Sequence, residues 1–469
     1  MHKSKLIQTL QAFNSQELEL LKKWIYSPVG CQHPETQKLL LNLISKRKLS
    51  DKTANKNLVF RQLYPQKPYD DSKLRTLMNR SLQVLENFVH FSLQKKDAFS
   101  KNKALVNFYQ SRQLPKYAQQ YIQKAQKLQK QQFSQDSQYY YQQYQLEQEI
   151  FDQKGTATRM RQTNLQTIFD HHYIAFALET LRHACTAITH QNLYNSRYKI
   201  PLLEQLLNDI SHNIAYKDIP AIQLYYHSYM ALSYPEKEKH FEELKKLLIH
   251  QHNILSESET KSIYVIAINY CVRRLNTGSE HYVQAVFELY EHGLDSSILI
   301  EKNILSRFTY KNIVAIALRL KEHQWVDRFI QKYTSYLELD YQENYGYYAK
   351  AKLLFSQDDF DATLQLLAQV EFDDIFLNMD AKLMLLKIYY ERQYFDSLDA
   401  LITSFRRFLQ RKETIAYLKA IYENIINLTE KLIKLTPDKA SKLALQEEIN
   451  TTTPLTERPW LLAQLHKLK

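Results

Sequence analysis

Apolar residues return at intervals of three and four along most of this chain, the spacing that gathers them on one face of an α-helix. The first such run is marked at its start. In Phe13-Asn14-Ser15-Gln16-Glu17-Leu18, Asn14 suits an N-cap, Glu17 completes a capping box, and Phe13 meets Leu18 as a hydrophobic staple. A helix is therefore predicted over Ser15 to Tyr26, ending before Ser27-Pro28. Others are predicted from Pro34 to Arg47 and from Ser50 to Leu63, the second stopped by Pro65. Asp70-Asp71-Ser72 then opens a longer helix in which Leu74, Leu77, Met78, Leu82, Leu85, Phe88 and Val89 keep one face. Four such helices bury a small core, so residues 1 to 97 read as an N-terminal helical domain. Beyond it the helices lengthen, and Tyr139 to Phe151 mixes Tyr with Gln in the manner of a helix packed on two sides.

Between Asn312 and Lys412 a second, longer period appears. Trp325, Phe360 and Tyr394 stand 35 and 34 residues apart, each after a short polar turn (KEHQ, SQDD, ERQ) and each followed four residues on by Phe329, Leu364 or Leu398. A period near ~34 residues is that of a helix-turn-helix unit stacked on copies of itself. Tyr282, with Ala285 and Val286 behind it, fits the same element at a longer spacing, and Phe241 extends the series. The three aromatic residues are expected at the buried foot of second helices, where Phe360→Ala would cost on the order of 3 kcal/mol.

These residues resemble the tetratricopeptide repeat family. Ala285, Thr363 and Ser397 match the small residue three positions after the aromatic, and Ala351 matches the small residue of the first helix, whereas Arg328 and Leu385 depart from the pattern. The resemblance implies an all-α fold in which the N-terminal helical domain is followed by a tetratricopeptide-like α-solenoid. Residues 98 to 240 would form its early part, 241 to 435 the helix-pair repeats and 436 to 469 the capping helices. It also implies a concave face carrying Tyr345, Tyr348 and Lys352 in one unit and Lys382 and Tyr389 in the next, a Tyr-with-Lys surface suited to an extended acidic peptide. At the other end of the chain, Ser27-Pro28, Leu63-Tyr64-Pro65 and Lys73-Leu74-Arg75 resemble the opening of a group of uncharacterised bacterial proteins, which implies no known activity.

Glycine changes the picture by its scarcity: the chain has 5 in 469 residues, where ordinary usage would give roughly 33. Strand hairpins and phosphate-cradling loops need backbone at positive φ, which glycine supplies most readily. Gly155, Gly278 and Gly293 each follow a helical run and are expected to be helix stops. No GxxxxGK[ST], GxGxxG or GxSxG occurs, which removes P-loop, Rossmann and hydrolase-elbow chemistry. Cys31, Cys185 and Cys271 have no CxxC spacing, so neither a zinc site nor a disulfide framework is expected, and a reducing cytoplasm is. The N-terminus does not read as a secretory signal, and the best apolar stretch, Ser262 to Val272, is too short to cross a bilayer, so a soluble protein with no membrane partner is expected. His183 and His190 share a helix face without a carboxylate three or four residues on, and interhelix hydrogen bonding is their expected role. Asp358-Asp359, Asp373-Asp374 and Glu447-Glu448 read as helix-start, turn and surface charge. No catalytic residue, cofactor or metal ligand is expected.

The net charge of +12 is unevenly placed. Residues 1 to 130 hold 24 Lys and Arg against 8 Asp and Glu, a balance of +16, and the rest of the chain carries −4. From Lys46 to Arg80 ten cations face three acids. Within that segment Lys46, Arg47, Lys48, Lys52, Lys56, Arg61, Lys73, Arg75 and Arg80 form a candidate surface for anions or nucleic acid, because Lys and Arg on a helical scaffold can contact phosphates. No exposed Asn, Gln and Arg at base-reading spacing is expected there. The sequence therefore points to a non-enzymatic scaffold that binds a protein partner through a helical-repeat groove. The alternative is a regulator whose residues 1 to 130 bind nucleic acid while its repeats sense a partner.

Overall fold

The caps and periods written in the sequence become helices almost throughout. The computed structural model describes residues 1–46, 49–154, 163–194, 196–250, 254–370, 374–411, 416–436 and 438–468. It is 77% helical, with 24 α-helices among the described residues, far above the roughly 30–35% of an average domain. The fold is all-α apart from one two-stranded antiparallel hairpin. Contacts divide the chain into two compact units: Met1–Ala184 with Lys199–Ile222 and Asn253–Leu255, and Cys185–Tyr198 with Gln223–His252 and Ser256–Lys469.

The first unit begins with α1 (Lys5–Gln11), α2 (Ser15–Tyr26), α3 (Pro34–Ile44), α4 (Lys56–Leu63) and α5 (Asp71–Lys96). Helix α5 touches each of the other four, and its Leu77, Leu85 and Phe88 meet Leu21, Ile25, Leu39, Leu40 and Leu43 in one buried cluster. The capping box at Asn14 and Glu17 forms as expected. Two boundaries differ from expectation. Helix α3 stops at Ile44 rather than Arg47, and Arg47 and Lys48 lie outside the described residues. Helix α4 starts at Lys56, not Ser50, because the Asn55 side chain caps it by accepting from the Asn57 and Leu58 amides while Ser50 and Thr53 close a turn of their own. Next come α6 (Ala98–Ser111), α7 (Pro115–Lys130) and α8 (Ser137–Lys154), around a smaller cluster of Val106, Ala118, Ile122, Ala125 and Leu146. Then follow α9 (Leu165–Tyr194), α10 (Leu203–His212), α11 (Ile214–Lys217) and α12 (Pro220–Ser233). The end of α9 and most of α12 belong to the second unit.

That unit continues with α13 (Glu238–His250), α14 (Glu257–Asn276), α15 (Tyr282–Asp295), the hairpin strands β1 (Ile300–Glu301) and β2 (Ile304–Leu305), α16 (Arg307–Arg319), α17 (His323–Tyr333), α18 (Leu339–Ser356), α19 (Phe360–Leu367), α20 (Ile375–Glu391) and α21 (Phe395–Arg411). It closes with α22 (Ala416–Lys434), α23 (Lys439–Thr451) and α24 (Arg458–Lys467). Each of the pairs α14–α15, α16–α17, α18–α19 and α20–α21 is joined by a short turn, and first helices also touch one another, α16 with α18 and α18 with α20.

These turns share one construction. At Gly278, Lys321, Asp358 and Gln393 the backbone turns left-handed, with φ of 93°, 61°, 62° and 59°. The amide of the next residue reaches back five positions, Ser279 to Arg274, Glu322 to Ala317, Asp359 to Leu354 and Tyr394 to Tyr389, at 2.8–3.1 Å. This is the Schellman closure, which satisfies otherwise orphaned helix carbonyls. Gln113 makes the same turn between α6 and α7. Glycine fills only one of the five positions, so the rarity of glycine conceals turns that other residues make.

Glycine and the aromatic positions bring further corrections. Gly278 ends α14 as expected, Gly155 lies outside the described residues, and Gly293 is no stop. It sits inside α15, where a Cβ would come within 2.8 Å of the Leu299 side chain. Positive φ at Lys302 and Asn303 makes the hairpin turn without glycine. The Trp325, Phe360 and Tyr394 positions do begin second helices, but the expected burial fails. Trp325 and Phe360 are half-buried and Tyr394 is 47% exposed, whereas Phe241 and Tyr282 are buried. Trp325 packs against Phe287 and Phe329, and Phe360 against Phe355, each with one side open.

Candidate functional site

The basic segment of the first unit disperses when folded. Lys56 and Arg75 both pair with Asp71, at 2.7 and 2.6 Å. Hydrogen bonds from Lys56 and Tyr69 hold the Asp71 carboxyl down to about 2. Lys73 lies 3.6 Å from Glu35 and over the Tyr64 ring. Lys46 is half-buried, donates to the Thr53 carbonyl at 2.7 Å, and is made less basic by that burial. Arg80 is exposed on α5. Lys52 and Arg61 come together in the open, lining a shallow depression with Asn55, Asn57, Leu58 and Gln62. Helix α4 presents Asn57, Arg61 and Gln62 at the surface. Four residues separate Asn57 from Arg61, the interval that could have revealed them.

In the second unit a half-buried polar network runs across the first helices. Lys311 of α16 donates to Asp380 Oδ2 of α20 at 2.7 Å. Tyr348 of α18 donates to the same oxygen at 3.3 Å, and Tyr422 of α22 donates to Oδ1 at 3.1 Å. Burial opposes ionisation of Asp380, but Lys311 and Lys352 outweigh it and hold the carboxyl below its usual range. Beside this knot Arg307 reaches Asp374, the N-cap of α20, at 3.3 Å and covers the Tyr341 ring at 4.0 Å. Tyr345 donates to Asp374 at 3.1 Å. Lys387 pairs with Glu457 at 2.9 Å and lies over the Phe355 ring.

Lys352 is the cation left over. Its Nζ is 3.4 Å from the Tyr348 hydroxyl, and it pairs with no carboxylate among the described residues. Burial lowers its pKa most; the charges of Asp380 and Glu457 raise it and those of Lys311 and Lys387 lower it, and the net shift is downward. Four cations, Arg307, Lys311, Lys352 and Lys387, thus meet four carboxylates, Asp374, Asp380, Glu457 and Glu338, the last 4.0 Å from Arg307. A half-buried ammonium that shares the charge of Asp380 with Lys311 and still has its pKa lowered gains from an arriving anion, because desolvation opposes its charge.

The five groove residues read from the sequence divide over this geometry. Tyr345, Tyr348 and Lys352 belong to the network, but the two tyrosine rings are 1% exposed and present no aromatic surface, which corrects their expected role as groove walls. Their hydroxyls orient Asp374 and Asp380 instead. Lys382 and Tyr389 lie on the other side of α20, turned toward α21: Lys382 reaches Ser404 at 3.5 Å and Tyr389 packs near Tyr394. The register was legible. Lys311, Tyr345 and Asp380 stand 34 and 35 residues apart, and 35 separate Lys352 from Lys387. Carrying the repeat period forward from Tyr345 and Lys352 gives Asp380 and Lys387, not Lys382 and Tyr389.

The remaining chemistry-bearing residues serve the fold. Asp359 caps α19 by accepting from the Ala362 amide, and Asp373 lies outside the described residues. His183 hydrogen-bonds Glu179 on its own helix at 3.0 Å. Among the described residues no group of three or more His, Cys, Asp or Glu is placed to hold a metal ion, and no helix is long and apolar enough to cross a membrane. No protein-family model, curated protein or solved structure matches the chain.

Proposed function

We propose that this chain is a non-enzymatic interaction scaffold in which a tetratricopeptide-like solenoid receives an acidic segment of a protein partner along its first helices. The observation that carries the reading is Lys352, a half-buried cation with no carboxylate at ion-pair distance among the described residues, set among Arg307, Lys311 and Lys387 on three successive first helices. An acidic side chain arriving there gives Lys352 a direct partner, and Tyr341 and Phe355 supply apolar surface beside it. Three buried, unpaired cysteines suit a reducing compartment, which we take to be the cytoplasm. The test is fluorescence anisotropy of the full chain with labelled acidic, neutral and basic peptides of equal length. Acidic peptides should bind best, and Lys352→Met should weaken them about tenfold. Equal binding of all three classes would refute the reading.

A second reading rests on the depression where Lys52 and Arg61 stand with Asn55, Asn57 and Gln62. Cations beside amides are the side chains that meet phosphates and base edges. If this surface binds nucleic acid, replacing both cations with Gln should flatten the salt dependence of binding by about two phosphate contacts. Binding that vanishes near physiological salt in the unaltered protein would leave the scaffold reading alone.

A further inference from the structure

Helix α14 is apolar on two sides. Its core side buries Ile263, Tyr264, Ala267, Ile268 and Cys271. Val265 and Ile266 face elsewhere, and Val265 is 42% exposed in mid-helix. Here the second side lines a cleft of about 870 Å³ that lies wholly in the second unit, with Leu232 of α12 and Ile298 and Ile300 of the hairpin segment as further apolar walls. Gly293 lets Leu299 pack against α15, and the Leu299 amide donates to the Gly293 carbonyl at 3.0 Å, so the hairpin wall is anchored.

The two ends of the cleft differ in charge. Toward the start of α14, Lys261 pairs with Glu301 of the hairpin at 2.7 Å, and Glu257 and Lys302 line the same end with opposite charges. Toward its end, Asn269 and Arg273 stand one turn apart in the cleft lining, both exposed, and Arg273 has no ion-pair partner among the described residues. Cys185, in the floor, is a packed thiol whose pKa burial pushes up to about 12, so it is no nucleophile.

Size decides what fits. Clefts of roughly 300–1,000 Å³ are those of small ligands. From Lys261 to Arg273 the helix rises about 18 Å, so the cleft is elongated along α14. An extended aliphatic chain is narrow enough. We propose that this cleft binds a single aliphatic chain carrying one anionic head group, the chain lying over Leu232, Val265, Ile266, Ile298 and Ile300 and the head group received by Asn269 and Arg273. This site is independent of the peptide reading, which rests on Lys352.

The experiment is fluorescence titration of the full chain with 11-(dansylamino)undecanoic acid below its micelle concentration. Saturable one-to-one binding is expected. Dodecanoate and dodecyl phosphate should each displace the probe at lower concentration than dodecanol, and the better of the two identifies the head group as carboxylate or phosphate. Val265→Trp, which fills the cleft from an exposed position, should abolish binding, and Ser262→Phe serves if that variant melts early. Arg273→Gln should weaken displacement by the anions about tenfold and leave dodecanol unchanged. Absence of saturable binding, indifference to both cleft-filling variants, or displacement by dodecanol equal to that by the anions would overturn the proposal.

Discussion

Between Lys46 and Arg80 the sequence concentrates ten cations, and apart from the half-buried Lys46 the folded chain leaves most of those it describes near solvent: Lys56 and Arg75 share Asp71 at the surface, and Lys52 and Arg61 face solvent. The network across α16, α18 and α20 uses four of the seven cations on those helices, and the Lys311 and Lys387 side chains are 19% and 13% exposed while Asp380 accepts from three donors. Local charge excess and local charge constraint are different quantities. A solvated cation is replaceable at little cost because water serves it as well as a carboxylate does. A half-buried one must be matched within the fold or by a partner, so a mismatch there carries functional information that a surface excess lacks.

The comparison breaks or holds first on a pair of substitutions. Asp380→Ala removes the acceptor of Lys311, Tyr348 and Tyr422 and strands a half-buried cation, which should cost about 3 kcal/mol in denaturant unfolding. Asp71→Ala, which also frees two cations and a tyrosine hydroxyl, should barely move the midpoint because its partners stand in water. Similar losses from both would erase the distinction between the two regions.

Acid should separate them next. In the second unit His227 Nδ1 and His240 Nδ1 are 3.1 Å apart, and burial, with the charges of His240 and Lys239, pushes the His227 pKa down to about 4. The His240 pKa is also lowered, by burial and by Lys237 and Lys239. Because the unfolded imidazole takes a proton near 6.5, the stabilising effect of keeping this pair neutral is full above that pH and is lost as pH falls through 4. Protection factors of α12 and α13 amides against hydrogen exchange should fall between pH 6.5 and 4 ahead of those of α5, and His227→Gln should remove much of that difference. Loss of protection in α5 first would contradict the assignment.

The smallest effect concerns the turns. Asp358 and Gln393 hold left-handed backbone that glycine adopts without steric cost, so Asp358→Gly and Gln393→Gly should each stabilise the protein by about 0.5–1 kcal/mol, and Gly278→Ala should destabilise it by a similar amount. Thermal melting of the three variants checks the signs. Stabilisation by Gly278→Ala would mean that the shared turn is not the element joining the pairs.

The all-α class, the capping box at Asn14 and the positions of the helix-pair turns were all legible, because caps and periods are local. Burial of individual aromatics was not. Whether Tyr394 or Tyr282 is covered depends on neighbouring helices, and the 34-residue period says nothing about how closely those approach. The network around Asp380 was half legible: Tyr345, Tyr348 and Lys352 were singled out for exposure and turn out to matter for position. Asp380, Lys311 and Tyr422 escaped notice because an isolated charge on an apolar helix looks like solvated surface until its depth is known. The cleft beside α14 left one trace, the apolar run from Ser262 to Val272, too short for a membrane and too apolar for a helix with one buried side.

The central claim is that Lys352 and its neighbours, not the basic N-terminal surface, select the partner. The direct measurement is quantitative recovery of bound proteins from native-host extract by the full chain, by Lys352→Met and by Lys52→Gln with Arg61→Gln, each verified to melt like the parent. A partner retained by the parent and by the N-terminal double variant, lost with Lys352→Met, and displaced by an acidic peptide is the result this account predicts. Equal recovery by Lys352→Met, or loss confined to the Lys52 and Arg61 variant, would contradict it.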